Sequence, residues 1–252
     1  MIEFFDEDGI ISPEGSIENG EQIRALGATV AITAFSDHIF DEILARYGGE
    51  KVGRMNGSVV LPVYVIRSGG KNILLYKSPV GAPSAVGAAE QIFTVGVDSV
   101  VAFGICGALT DVPERTLIVP DRAFRDEGTS RHYAPESEFI AVKNADAVAE
   151  HLEALGLSAL KGGVWTTDGF YRETRTRAEY VKSIGCVAVD MECAALQAAC
   201  DFRGKRFYTF FITADSLAGE EWQPNYILDP KLSAPDGIGA GAAVRLCEKL
   251  SG

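Results

Sequence analysis

Four short stretches carry side chains able to do chemistry: VDME at 189–192, TADSLAGEEW at 213–222, TTDGFYRET at 166–174 and RDEGTSRHY at 125–133. Their carboxylates accept hydrogen bonds, their arginines donate them, and Phe170 and Tyr171 offer flat apolar faces. That mixture suits a polar small molecule. Each stretch follows or ends a strand-like run, so its polar groups cost folding free energy if buried without partners. Each also has an ordinary reading. A polar loop after a strand is commonly a solvated turn, Glu192 suits the positive end of a helix, and Asp215 or Ser216 suits a helix N-cap. Arg125 can pair with Asp126 or Glu127, and a lone histidine such as His132 is usually structural. Asp190 and Glu192 flank Met191 on one short turn with no His or Cys ligand set beside them, so no metal site is implied.

The elements that must position these residues alternate between strand and helix. ATVAITAF (28–35) reads as a strand running into SDHIFDEILARYGG, a helix capped by Ser36 or Asp37 and ended by Gly48. VVLPVYVI and NILLY flank the Gly-Gly of RSGGK as a hairpin, the first an edge or outer strand because Pro62 lacks a ladder donor. A helix begins near Pro83, Gly96 stops it, and a buried strand spans Ser99 to Gly104, completing a βαβ unit. TLIVP, GGVWTT and KRFYTFFITAD follow as strands, and ADAVAEHLEALG, DMECAALQAACDFRG and GIGAGAAVRLCEKL as helices. The alternation predicts a single α/β domain over residues 1–252, with 1–27 as an N-terminal extension and a mixed central sheet flanked by helices. The polar stretches gather where strands end, which is where open α/β sheets bind ligands.

Composition narrows the classes. With 252 residues, 47 % apolar and 23 % charged, the chain can bury a sizeable core. Its longest apolar runs, such as SVVAFGICGAL from Ser99, fall well short of the roughly 20 residues a membrane helix needs, and the acidic start is no signal peptide. A cytoplasmic protein that avoids membranes is expected. The net charge of −12 disfavours nucleic acid, whose binding needs a basic footprint. Five cysteines without C-x-x-C spacing read as reduced thiols, with Cys193 and Cys200 on one helix face as core packing. A small-molecule ligand is the default.

Taken together, VDMECAAL, TADSLAGEEW and the other two stretches make the chain, from about Ala28 to the C-terminal helix, resemble the nucleoside phosphorylase family. The likeness is to the branch of uridine phosphorylases, trimeric or hexameric purine nucleoside phosphorylases and related nucleoside hydrolases. It implies a phosphorylase-like three-layer fold, a nucleoside substrate, inorganic phosphate as co-substrate, no cofactor, and a homo-oligomer built from dimers, up to a hexamer, with sites at subunit interfaces. It also implies that Glu192 accepts hydrogen bonds from the ribose 2′ and 3′ hydroxyls while Met191 packs under the sugar. Two donors then meet one bidentate acceptor, and the anion stabilises oxocarbenium character developing on the ribose. Asp190 is a further candidate at the base. Asp215 matches an aspartate near the base in purine-cleaving relatives, where a carboxylic acid protonating N7 eases departure, so a purine is favoured over uridine. Phe170 matches the ring that stacks on the base, and Arg172 or Arg175 can donate to base carbonyls, although the spacing does not reproduce the polar pair of uridine-cleaving relatives. His132 and Tyr133 are candidates for the pocket wall or a neighbouring subunit's site.

The resemblance fails where phosphate should sit. The family uses one arginine in a loop after the first strand, whereas TAFSDHIF has none; a second arginine is replaced by Ala102, and a hydroxyl by Ile105 or Cys106. A dianion without these partners is under-paired by several kcal/mol, roughly. Arg54, Arg125 or the backbone at Gly81 can stand in, glycine allowing close approach to an anion. Otherwise water replaces phosphate, making a nucleoside hydrolase, or the chain binds nucleosides without turnover.

Overall fold

The structure, a computed structural model, describes residues 4, 6–7, 9–57, 59–225, 227 and 237–251. Its strands are β1 (Ile17–Glu18), β2 (Val30–Ala34), β3 (Glu50–Met55), β4 (Leu61–Ser68), β5 (Lys71–Lys77), β6 (Ser99–Ala108), β7 (Leu117–Asp126), β8 (Phe139–Ala141), β9 (Ala159–Thr167), β10 (Cys186–Asp190) and β11 (Arg206–Ser216). Its helices are α1 (Gly20–Ala25), α2 (Asp37–Tyr47), α3 (Ala82–Phe93), α4 (Ala145–Ala154), α5 (Arg175–Ser183), α6 (Cys193–Phe202) and α7 (Ile238–Leu250). All these strands join one sheet in the order β1-β3-β4-β5-β2-β6-β10-β9-β7-β11, with β8 beside β7. Because β11 also pairs with β6, strands β6, β10, β9, β7 and β11 close a ring.

The pairing is mixed, as the alternation predicts. Strands β5, β2, β6 and β11 run parallel to their neighbours in that series, while β10 meets β6 antiparallel. Helices α2, α4 and α7 pack one apolar cluster around Ile32, Phe103 and Phe210, and α3 and α6 pack a second around Ala102, Ile118 and Phe207. Small residues dominate α6 and α7, so both helices sit close to the sheet. In α7 a Cβ placed on Gly239 would lie 2.1 Å from Cζ of Phe103. Among the described residues no helix is long and apolar enough to cross a membrane.

Local chemistry sets the helix ends. Ser36 caps α2 by accepting from the Ile39 N–H, and Gly48 ends it at φ 66°. The Gly69-Gly70 turn joins β4 to β5 with both residues at positive φ, as a two-residue hairpin demands. Two readings need correction. Strand β4 is not at the edge, because β3 covers it and β1 covers β3; Pro62 lies at its second residue, opposite Arg54. Strand β6 does not stop at Gly104 but continues through Gly107 to Ala108, since β10 and β11 both supply ladder partners there. Residues 17–25, within the expected N-terminal extension, form β1 and α1 and join the sheet's edge.

The far end of β6 positions the functional residues. Gly107 pairs with Val189 of β10 on one side and with Asp215 of β11 on the other. The β11 register slips between Thr213, opposite Cys106, and Asp215, opposite Gly107, so Ala214 is a bulged extra residue, a device that re-aims side chains at sites.

Candidate active site

At the ends of β6, β10 and β11 lies a cavity of about 400 Å³. Its walls are largely apolar, with Phe35, Ile105, Phe170, Met191 and Phe211 among them, yet four carboxyl groups also reach it: Glu173, Asp190, Glu192 and Asp215. No lysine, arginine or histidine lines it among the described residues. Carboxyls gathered in an apolar space ionise reluctantly, which makes them proton donors near neutral pH and sinks for positive charge.

Glu192 occupies the junction between β10 and α6. Its Oε1 accepts a 2.6 Å hydrogen bond from the Gly81 N–H at the start of α3. Gly81 has φ +104°, a conformation that favours glycine, and this aims its N–H across the cavity mouth. Burial, followed by the charge of Asp190, pushes the Glu192 carboxyl up to about 8.

Asp190, expected at the base, instead holds the turn that carries Glu192. Its Oδ2 accepts from the N–H groups of Glu192 (3.0 Å) and Cys193 (2.6 Å), and its Oδ1 accepts from the Thr166 hydroxyl (2.7 Å). Thr166 Oγ1 accepts in turn from the Ala194 N–H. These bonds satisfy first-turn donors of α6 that have no intrahelical partner. Burial nevertheless raises Asp190 to about 6.

Asp215 reaches the cavity from β11, above the bare backbone of Gly107. A Cβ at Gly107 would come within 3.1 Å of Asp215 Oδ1 and 2.9 Å of Val189 Cγ1, so glycine is needed to let both neighbours close in. No helix begins within residues 216–225, which removes the N-cap reading: the chain turns back so that Ser216 bridges Gln223, and Trp222 Nε1 donates to Asp215 Oδ2 at 2.7 Å. Burial holds the Asp215 carboxyl above the usual carboxylate range, with the Trp222 bond opposing it.

Phe170 lies half-buried in the cavity wall on a 3-10 turn (170–172), while Tyr171 is 92 % exposed and faces away. Arg172 is exposed and lies outside the lining. Arg175 donates to the carbonyls of Leu217 (3.0 Å) and Glu220 (2.7 Å), tying this segment to the loop after β11.

The proposed phosphate ligands do not converge. Arg54 pairs with Glu18 on β1, at the far edge of the sheet. Arg125, near the end of β7, is buried under the segment that follows, where its guanidinium donates to the hydroxyls of Ser130 and Ser137 and the carbonyls of Ala134 and Pro135. The Gly81 N–H is engaged by Glu192. Beyond β2, in the segment that lacks an arginine, Phe35 covers Gly104 so closely that a Cβ there would stand 3.0 Å from its ring. His132 and Tyr133 line a separate cleft with Pro83, Asp168 and Phe202, Tyr133 packing edge-on against Phe202 at 5.7 Å.

Sequence reasoning missed Glu173 and the hydrogen bond of Trp222. Both sit in stretches singled out for other residues. Glu173 lies three after Phe170, which a 3-10 turn brings back to the same side, and Trp222 needed the Ser216–Gln223 bridge to reach Asp215.

Strand order, the bulge at Ala214 and the paired carboxyl-bearing strand ends define an α/β ligand-binding protein whose pocket straddles the end of one central strand. Residues 29–234 match the model of the phosphorylase superfamily, and the chain belongs to that family. It is 30 % identical over 158 residues to a DeoD-type purine nucleoside phosphorylase of Bacillus cereus, covering 60 % of this chain and 67 % of that one. It is also 30 % identical over 141 residues to a guanosine phosphorylase of Halorubrum lacusprofundi, covering 54 % of this chain and 58 % of the relative. In fold it matches the purine nucleoside phosphorylase of Toxoplasma gondii, crystallised with immucillin-H, with a TM-score of 0.78 at 16 % identity over 97 % of this chain and 98 % of that one.

Proposed function

We propose that this chain is a pentosyltransferase that cleaves the N-ribosyl bond of a purine nucleoside, with inorganic phosphate as the acceptor. The observation that carries the reading is that Glu192, just past the end of β10, and Asp215 on β11 face one cavity from either side of Gly107. Glu192 receives the ribose hydroxyls, whose O–H donors stabilise the ionised form that burial disfavours. Met191 packs under the sugar and Phe170 stacks on the base. As the bond from C1′ to N9 breaks, Asp215 delivers its proton to N7, and the acceptor oxygen bonds to C1′. The carboxyl-rich cavity stabilises the oxocarbenium character of that transition state more than the neutral substrate. Family membership and the two sequence relatives support phosphate as acceptor and a purine as base. A cytoplasmic homo-oligomer working in nucleoside salvage belongs to the same proposal, carried by the family likeness.

One observation favours a second reading, in which water replaces phosphate. Phe35 and Ile105 line the cavity near Gly104, and no cationic side chain lines it among the described residues. The test is release of free base from purine and pyrimidine nucleosides with and without phosphate, detecting ribose 1-phosphate separately from ribose. Phosphate-dependent release with ribose 1-phosphate supports the first reading. Ribose released equally without phosphate supports hydrolysis. Tight nucleoside binding with no release of any base refutes both in favour of a binding protein.

A further inference from the structure

The indole of Trp222 neither fills the core nor walls the pocket: it keeps 45 % of its surface exposed and stands outside the cavity lining. Its Nε1 nevertheless donates to Asp215 Oδ2 at 2.7 Å, and the chain is built to bring it there. Ser216 and Gln223 exchange two 2.9 Å backbone hydrogen bonds, which turn residues 217–222 back towards the end of β11. The Leu217 N–H donates to the Ala108 carbonyl of β6, and Arg175 of α5 donates to the carbonyls of Leu217 and Glu220. The return is thereby fastened on three sides. A half-exposed ring held this firmly against one carboxylate oxygen is explained by what its N–H does to that carboxyl group.

We propose that Trp222 is a positioning residue for the leaving-group proton, holding Asp215 by Oδ2 so that the acidic proton sits on Oδ1, over Gly107 of the cavity wall. The proposal rests on the nucleoside-cleaving reading above and adds to it a residue that acts through Asp215 alone. An indole N–H only donates. The oxygen it faces has to accept, and the carboxyl proton is left to the other oxygen. Oδ1 is the one that a Cβ at Gly107 would meet at 3.1 Å, and Gly107 lines the cavity. As the Oδ1–H bond breaks and N7–H forms, the bonding pair stays on Asp215, and the electrons of the C1′–N9 bond pass to the base. The Trp222 bond then runs to a full anion, and such charge-assisted bonds are roughly twice as strong as neutral ones. It therefore stabilises the transition state more than the resting acid. Burial raises the Asp215 carboxyl and the Trp222 N–H opposes that rise, so removing the N–H leaves a weaker acid.

The test is the pH profile of kcat and KM for inosine, measured for wild type, Trp222→Phe, Asp215→Asn and the double variant. Phenylalanine keeps an aromatic ring and removes the N–H. For Trp222→Phe, kcat should fall about three- to tenfold while KM stays within about twofold, because the acid is weakened and binding is not. The basic limb, where Asp215 loses its proton, should move up by about one pH unit. Asp215 is faced by Cys106 on β6, by Glu173 ahead of α5, and by Asp190 and Glu192 at the β10–α6 junction. Those groups are common to wild type and variant, so the difference between their limbs isolates Trp222. In the Asp215→Asn background, Trp222→Phe should change kcat by less than about twofold. A variant that keeps the wild-type kcat and limb, loses kcat without moving the limb, or loses as much again beside Asp215→Asn overturns this inference and leaves the purine reading standing. If Trp222→Phe does not fold, wild-type fluorescence decides. Trp165, the other tryptophan, is fully buried, so the iodide-quenchable emission belongs to Trp222. That emission should change with pH at the midpoint of the basic limb and stay flat in Asp215→Asn; a flat wild-type response overturns the inference. A wild type that releases no purine base overturns both readings.

Discussion

Replacing Glu192 by glutamine should make the unliganded protein more stable while damaging its function. The side chain is only 7 % exposed, and its carboxyl is raised from an ordinary 4.5 to about 8. At about 1.36 kcal/mol per pH unit, that gap bounds the effect at about 5 kcal/mol. Relaxation of the cavity and water entry bring the expected value to about 2–4 kcal/mol. Glutamine keeps the shape, and its Oε1 still accepts the Gly81 N–H, so little is lost in exchange. The unfolded chain ionises Glu192 above pH 4.5 and the native chain only above about 8. The stability contributed by the protonated native carboxyl is therefore complete below pH 4.5 and is lost as the pH rises to about 8. Glu192→Gln should match wild type near pH 4.5, gain progressively towards pH 8 and hold that gain beyond. For a chain of this size the gain corresponds to about 5 °C or more in Tm. Denaturant unfolding at a series of pH values, paired with nucleoside cleavage, makes the measurement. Turnover should fall at least about tenfold in kcat/KM, as loss of a ribose contact would cause. A variant that gains nothing, or gains equally at all pH values, would refute the reasoning, because Glu192 would then be ionised and compensated by its own surroundings.

For Asp215→Asn we expect loss of the proton donor to cost purine nucleosides about 10²–10⁴ in kcat/KM and to spare pyrimidine nucleosides; equal losses in a substrate panel would remove the leaving-group role. Gly239→Ala places a methyl group 2.1 Å from Cζ of Phe103 and should cost about 1–3 kcal/mol through overpacking. Thermal melting should show that loss, and combining it with Phe103→Leu should recover part of it.

The alternation of β-branched runs with capped amphipathic segments made the sheet and its flanking helices legible, since period and caps are local signals. The ring closed by β6 and β11 was not legible, because it depends on pairing between residues about a hundred positions apart. The motifs VDME and TADSLAGEEW brought the right strands to the cavity. They could not say which carboxyl looks across the cavity and which one ties the backbone: Asp190 and Glu192 differ by two positions, yet one accepts two hydrogen bonds from its own turn and a third from Thr166 on β9, and the other looks across to Gly81. Arg125 shows the same limit from the other side. Its charge suggested an anion site, but a serine-rich loop with free carbonyls closes around it, and that loop's path is a tertiary fact.

The meeting of two strands across Gly107 has a metric consequence. Residues 189 and 215 are separated by two ladder spacings, about 9.5 Å in total. The span from the Glu192 end of the site to its Asp215 end is thus ruled off by backbone hydrogen bonds, as marks on a gauge are. Exchanging side chains along β10 or β11 can change what each end grips without changing how far apart the grips stand. A ligand longer than that gauge has to be met by the connecting segments around Phe170 and Trp222, which makes them the places where this scaffold can be retuned in length.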